Sequence, residues 1–301
     1  MRADLPVLRG LLGGDTPTTE WLLARPMDRE TGSGGGAAPT DRRARVLPLD
    51  AGLDTPGTPQ SGTGQAALLT GESTARAFGG HFGPWTPVAL RPVVEQRSLL
   101  RRAVDAGRSV AFANAYPRGW PGPGGSRRIA APPLAARGAG LLVRHEEALG
   151  LGDAVSSEIV NDGWKRHLGH DTLPDVTPRE AGANLGRIAA HHELTLFAHY
   201  TTDTVGHRGN MSAAVEALEL VDAFIGGVVA SLSRDTLLFV ASDHGNIEDV
   251  RSGHTRNPAL GLVAPPLEAE TVSLAHPLPS DLREVAPFLL RFLGVETGSG
   301  L

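Results

Sequence analysis

Five short apolar runs, each bounded by turn-forming residues, punctuate the chain: ARVLPLDA (44–51), SVAFANAY (109–116), LTLFAHY (194–200), DTLLFVASD (235–243) and LGLVA (260–264). They are rich in β-branched or aromatic residues and too short for helices, so they predict buried strands. Longer stretches at helical spacing lie between them. The clearest runs from Ser212 to Leu232, where Val215, Leu218, Val221, Phe224, Ile225, Val228 and Val229 share one face and Ser212 is placed to cap the first turn. Strand-then-helix alternation predicts an α/β fold, a three-layer α/β/α sandwich around a mostly parallel central sheet. In such sheets ligands sit beyond the carboxyl ends of the strands.

Two glycine- and proline-rich stretches interrupt this order. TGSGGGAAPTDRRAR (31–45) predicts a flexible loop, and YPRGWPGPGGSRR (Tyr116 to Arg128) a second one, because neither can offset the entropy of ordering with buried apolar surface. The whole chain, 1–301, reads as one domain, with a small insertion or cap at about 117–178. With 41% hydrophobic and 20% charged residues it can bury a sizeable core. A net charge of −5 and pI near 6.1 leave no footprint for nucleic acid or an anionic membrane. Arginine carries nearly all the positive charge, Lys165 being the only lysine. There is no cysteine, so thiolate metal sites and disulfides are excluded. No apolar run has the length of a signal core or a membrane span, and a cytoplasmic location is the expectation. No internal repeat and neither common nucleotide-binding glycine motif occurs.

The chemistry gathers where the strands end. DTLLFVASD delivers Asp243 and His244 to the ligand-binding edge of the sheet, and His254 follows in the loop leading to the next strand. LTLFAHY leads into TTDTVGHRG, where Asp203 and His207 are four residues apart and share one side of a helical turn. One divalent ion needs only three or four protein ligands, so two carboxylates and three imidazoles predict two ions, with zinc or manganese suiting the mixed N/O set. TPQSGTGQAALLTG (58–71) supplies a nucleophile. Ser61 stands where a loop becomes a helix, with first-turn N–H groups facing an anion and Gly62 and Gly64 allowing close approach. Thr63 is the rival nucleophile, and Ser61 as a simple helix cap is the plain alternative. Asn114 and Arg118 are either substrate contacts or a turn asparagine and a surface arginine. His191 and His192 suit a helix end, His199 packs within a strand, and His81, His145, His167, His170 and His276 have no predicted role.

SGTGQ, DTVGH, SDHGN and HTRNP, in that order, resemble the alkaline phosphatase superfamily, in the metalloenzyme branch that holds cofactor-independent phosphoglycerate mutase and phosphopentomutase. DLREVAPFLLRFLGVE resembles the closing helix of that branch. The resemblance implies that Asp203, His207 and His254 hold one ion, and that Asp243 and His244 help hold a second. It also implies that Ser61 bridges both ions and becomes a phosphoserine, with manganese or zinc as the usual metals. In the family, a strand ending in an aspartate ligand precedes the segment that ADLPVLRGLLGG resembles, and neither Asp4 nor Asp15 follows a strand. A start codon assigned too late, or a weakened second metal site, are the two expectations, and the intact downstream motifs favour the first. The stretch between Ser61 and Asp203 is too short for the substrate domain of the phosphoglycerate mutases. The expected activity is therefore hydrolysis of a small phosphorylated metabolite through a phosphoserine, the alternatives being a phosphomutase or a truncated, metal-poor homologue without catalysis.

Overall fold

The structure is a computed structural model describing residues 3–14, 42–122, 128–266 and 277–295. Helix α1 (Pro6–Leu11) precedes strand β1 (Arg45–Leu49). Helices α2 (Ser61–Thr70), α3 (Thr74–Phe78), α4 (Arg91–Arg97) and α5 (Leu99–Asp105) lead to β2 (Val110–Phe112). Four more helices, α6 (Ala131–Gly138), α7 (Glu146–Leu151), α8 (Asp162–Leu168) and α9 (Pro178–Ala189), lead to β3 (Leu194–Leu196). Then come α10 (Thr201–Gly206), α11 (Met211–Ser231), β4 (Leu238–Ala241), β5 (Ala259–Ala264) and α12 (Leu282–Phe292).

All five apolar runs form strands, and the fold is α/β. The mostly parallel central sheet is corrected by the pairing. Among the described residues β1, β5 and β4 form an antiparallel sheet in that order, and β2 and β3 pair in parallel. The cause lies between β4 and β5. Residues 242–258 contain a single turn of 3₁₀ helix, Ile247–Asp249, and no crossover helix, so β5 must return beside β4 in the opposite direction.

Helices cover both faces, as the period of two along each strand requires. Val110 and Phe112 of β2 pack with Leu69, Leu100, Leu134 and Leu290, whereas Ala111 and Ala113 point the other way, toward Ile188, Phe224 and Val228. In β4 likewise, Leu238 and Val240 join the cluster of α9 and α11, and Phe239 joins that of α12.

The helix ends follow local chemistry. Thr177 and Glu180 form a reciprocal capping box on α9, and the Asp281 carboxylate accepts from Arg283 N–H at the start of α12. α11 is capped by the Asn210 side chain, which accepts from the N–H groups of Ser212 and Ala213. The expected cap, Ser212, is already inside the first turn. The 117–178 stretch contributes α6, α7 and α8, the last two gathered with Ala115, Ala154 and Leu173 around Trp164. Most of the first glycine-rich stretch (31–41), part of the second (123–127), Asp15 and His276 lie outside the described residues. No helix among the described residues is long and apolar enough to cross a membrane.

Candidate metal centre

The chain after β3 runs on through Phe197 to Tyr200 and turns at once into α10. Asp203 and His207 therefore stand one turn apart on the same helix side, with 3.5 Å between Asp203 Oδ1 and His207 Nε2. His254 reaches the same spot from the β4–β5 loop, its Nε2 lying 3.3 Å from Asp203 Oδ1 and 2.8 Å from His207 Nε2. Its other ring nitrogen meets the Pro59 carbonyl at 3.0 Å, which fixes the ring so that Nε2 faces inward. One donor atom from each of the three residues lies within 4.8 Å of the others.

Ligand atoms held about 2.0–2.1 Å from a tetrahedral zinc lie roughly 3.3 Å apart, so the three donors fit a divalent ion in both spacing and chemistry. No thiolate competes, and a borderline metal with N/O ligands suits the set.

Beside this triad sits the second group. His244 Nε2 is 3.8 Å from Asp203 Oδ1, 3.6 Å from Asp243 Oδ1 and 2.8 Å from Ser61 Oγ. The rings of His244 and His254 overlap, with centroids 3.8 Å apart. The structure thus brings Ser61, Asp203, His207, Asp243, His244 and His254 into one cluster. Ser61 and His244 are buried, while His207 keeps nearly half of its side chain exposed.

The loop around Ser61 corrects part of the sequence reading. Gly62 and Gly64 do leave room for a close approach, but to the chain's own backbone. A Cβ on Gly62 would overlap the Trp85 carbonyl, and one on Gly64 would stand 2.7 Å from the Asp243 carbonyl oxygen. Gly64 therefore lets α2 seat against the end of β4 and deliver Ser61 to His244. The Thr63 N–H already donates to the Phe82 carbonyl at 3.0 Å. Its hydroxyl accepts from Phe82 N–H and donates to the Gln60 carbonyl, so the rival nucleophile is a buried structural residue.

Three residues join the site that sequence reasoning overlooked. Gln65, one turn after Ser61, donates its amide to Asp243 Oδ2 at 2.8 Å. Asn246 donates to Asp203 Oδ1 at 2.6 Å and so orients that carboxylate toward the imidazoles. Glu248 accepts from Asn246 N–H and from the side chains of Thr255 and Asn257, binding the SDHGN loop to the HTRNP loop. The signal was present: Gln65 and Asn246 are the last letters of SGTGQ and SDHGN, and Gln65 is four residues beyond the serine on a helix.

The other candidates turn out structural. Asn114 bridges β2 to the end of β3, donating to the Ala198 carbonyl and accepting from the Ala198 N–H. Arg118 pairs with Glu146 and Glu147 at the surface. His192 meets the Ile188 carbonyl just beyond α9, and His199 meets that of Ser157.

Electrostatics bind the triad together. Burial works to raise the Asp203 carboxyl, but the His254 hydrogen bond and the neighbouring His244, His207 and His254 charges outweigh it and leave the pKa below its ordinary value. For His254 the balance is reversed. Burial lowers it, while the hydrogen bond and charge of Asp203, the Pro59 carbonyl and the Asp243 charge raise it above the usual histidine value. Nearby, burial pushes the Tyr116 phenol up to about 12 and the Tyr200 phenol well above its ordinary value, so both stay neutral beside the acidic cluster.

A metal binds the neutral imidazole, so below the raised His254 value it must displace a proton. Zinc or manganese affinity is therefore expected to fall as pH drops, by about tenfold per unit for each proton displaced. Competition titration between about pH 6 and 8 measures this. A flat affinity over that range would contradict the His254 assignment.

Comparison with known proteins comes to the same region. Residues 179–297, which carry Asp203, His207, Asp243, His244, Asn246, Glu248 and His254, match the Metalloenzyme superfamily. A 2,3-bisphosphoglycerate-independent phosphoglycerate mutase of Desulforudis audaxviator is 32% identical over 134 residues, 42% of this chain and 26% of the relative. One of Halobacterium salinarum is 36% identical over 136 residues, again 42% and 26% of the two chains. The match thus spans about a quarter of the length of these relatives. A solved structure of a Pyrococcus horikoshii protein aligns with 66% of this chain and 46% of its own at 12% identity and a TM-score of 0.42. Over that C-terminal region, which carries the DTVGH, SDHGN and HTRNP motifs, the chain is similar to the Metalloenzyme superfamily and to these phosphoglycerate mutases.

Proposed function

We propose that the protein is a metal-dependent phosphoesterase that moves a phosphoryl group from a small phosphorylated metabolite to Ser61 and then to water. The observation that carries this reading is the 2.8 Å contact between Ser61 Oγ and His244 Nε2, beside a three-donor metal cluster. Two divalent ions, manganese or zinc, would be held by Asp203, His207 and His254 and by Asp243, His244 and Ser61. When bound, they supply positive charge that lowers the serine pKa and stabilises the transferring phosphoryl group.

The chain's own residues prepare that chemistry. His244 Nδ1 faces the Gly245 carbonyl at 3.3 Å, which places its N–H there and turns the Nε2 lone pair toward Ser61. Without an ion the Ser61 hydroxyl donates to that lone pair; a bound ion would take the lone pair instead and lower the serine pKa, so that Ser61 reacts as the alkoxide and its proton leaves with the substrate alcohol. The Ser61 Oγ–P bond forms as the phosphorus–oxygen bond of the substrate breaks, releasing the substrate alcohol. Water then attacks the phosphoserine, giving inorganic phosphate and restoring the hydroxyl. Asn246 and Gln65 orient the two carboxylates throughout.

A second reading, a phosphomutase that returns the group to another hydroxyl, is supported by the names of the relatives. The short helices of residues 117–178 form a modest cap in this proposal, which favours water as the acceptor. Released inorganic phosphate, assayed beside isomerised sugar phosphate or phosphoglycerate across a substrate panel, separates the two. Activity is expected to vanish with EDTA and to return with manganese or zinc. Turnover that survives complete metal removal would exclude both readings.

A further inference from the structure

The loop that ends in Ser61 is braced by the segment following α3. A Cβ on Gly83 would stand 3.2 Å from the Ser61 backbone nitrogen, and the Trp85 carbonyl lies against Gly62. Trp85 is thus fixed beside the nucleophile through its backbone, while its side chain stays free. The residue is 40% exposed and lines the same cavity as Ser61. One exposed indole is ordinary on a protein surface. Here a second flat surface reaches that cavity from the opposite side of the site. Tyr200 stands close enough to Asp243 to feel its charge, and it neighbours Tyr116. The Tyr116 ring in turn packs on Trp120, with centroids 4.4 Å apart, and on the buried Phe112 at 6.1 Å. Two backbone hydrogen bonds of 3.0 Å, from Tyr116 N–H to the Arg144 carbonyl and from Trp120 N–H to the Pro117 carbonyl, hold this turn. Tyr116 and Trp120 are part-exposed, and both line the cavity. Flat side chains restrained in this way lose little entropy when a ligand packs on them.

A cation completes the lining. Thr86 N–H donates to the Ile129 carbonyl at 2.9 Å, which ties Arg128 to the Trp85 segment. Arg128 lines the cavity, and among the described residues no carboxylate pairs with it. A guanidinium alone would serve a small carboxylate as well as a ring, since it can fork onto the first and stack on the second. The indoles decide between them. A phosphoglycerate bound at Ser61 would leave two tryptophans without a use, whereas a planar ring takes up indole and guanidinium faces together.

We propose that the site selects phosphate esters whose alcohol carries a planar heteroaromatic ring, of the mononucleotide type, with Trp85 and Trp120 as the specificity-determining residues. The inference rests on the phosphoesterase reading for the end of the substrate that meets Ser61, and it adds the nature of the alcohol released. Ring recognition here uses side-chain faces and needs no glycine-rich nucleotide motif.

Adenosine 5′-phosphate and ribose 5-phosphate carry the same phosphate and differ in the ring, while 3-phosphoglycerate offers a carboxylate instead. Calorimetric titration of the zinc-loaded Ser61→Ala protein, in which transfer to Ser61 is blocked, compares the three. Adenosine 5′-phosphate is expected to bind about tenfold or more tightly than either of the others. In the same background, Trp85→Leu and Trp120→Leu should each remove most of that preference and leave ribose 5-phosphate binding unchanged. Phenylalanine at either position keeps a flat ring and should retain it, which guards against a loss caused by misfolding. Equal affinity for adenosine 5′-phosphate and ribose 5-phosphate overturns the proposal, as does tighter binding of 3-phosphoglycerate, failure of all three to bind, or leucine and phenylalanine variants that behave alike. Phosphate release from an ester panel answers the other question separately. Turnover with no ring preference removes this inference alone, and ring-selective binding without turnover removes the phosphoesterase reading alone.

Discussion

Ser61→Ala is expected to cut turnover by at least about 10³-fold while leaving the melting temperature, and the metal held by Asp203, His207 and His254, close to those of the parent. The substitution removes one oxygen at the first position of α2 and leaves the helix backbone untouched. The structural loss is one hydrogen bond to His244, worth about 1 kcal/mol. The chemical loss is the atom that forms the bond to phosphorus. Acid quenching of the parent during turnover, followed by mass spectrometry of the Ser61 peptide, should show a phosphate that the variant lacks. A variant with near-parental turnover would move the attack to water and remove the phosphoserine.

Asp203→Asn is the second large effect, and it separates metal binding from folding. Asp203 Oδ1 lies within 4 Å of three imidazoles, and it accepts the Asn246 amide. Asparagine fills the same space but presents a neutral, weaker donor, so affinity for zinc or manganese is expected to fall by about 10²-fold or more. The His254 imidazole, raised by the Asp203 hydrogen bond and charge against the effect of burial, should at the same time titrate at lower pH in the metal-free protein. Elemental analysis after dialysis reads the first consequence and histidine NMR the second. Unchanged metal stoichiometry would take Asp203 out of the ligand set.

Much of this was legible in the sequence because the signals are local. Short apolar runs ending in Asp-His or followed by Asp-x-x-x-His declare both a strand and what lies at its end, and the five strands formed where those runs stand. Pairing direction was not legible. The antiparallel return of β5 depends on the absence of a crossover helix in residues 242–258, where the polar cluster drew attention to chemistry and away from topology. Gly62 and Gly64 were misread for a related reason. Glycine announces a close approach without naming what approaches, and here it is Trp85 and Asp243 of the same chain. Gln65 and Asn246 stand within the SGTGQ and SDHGN motifs, but which carboxylate each amide holds follows only once the two loops are placed together.

The helix pair that packs against β4 has one further property. A Cβ on Gly182 of α9 would overlap the Phe224 carbonyl of α11, and one on Gly227 would overlap the Arg179 carbonyl, so the two helices touch backbone to backbone. Side chains elsewhere in the core can exchange bulk with a neighbour, but here nothing can shrink in return for a gained methyl. Any side chain at either position would therefore have to force the two backbones apart, and this seam sets how closely α9 and α11 can lie.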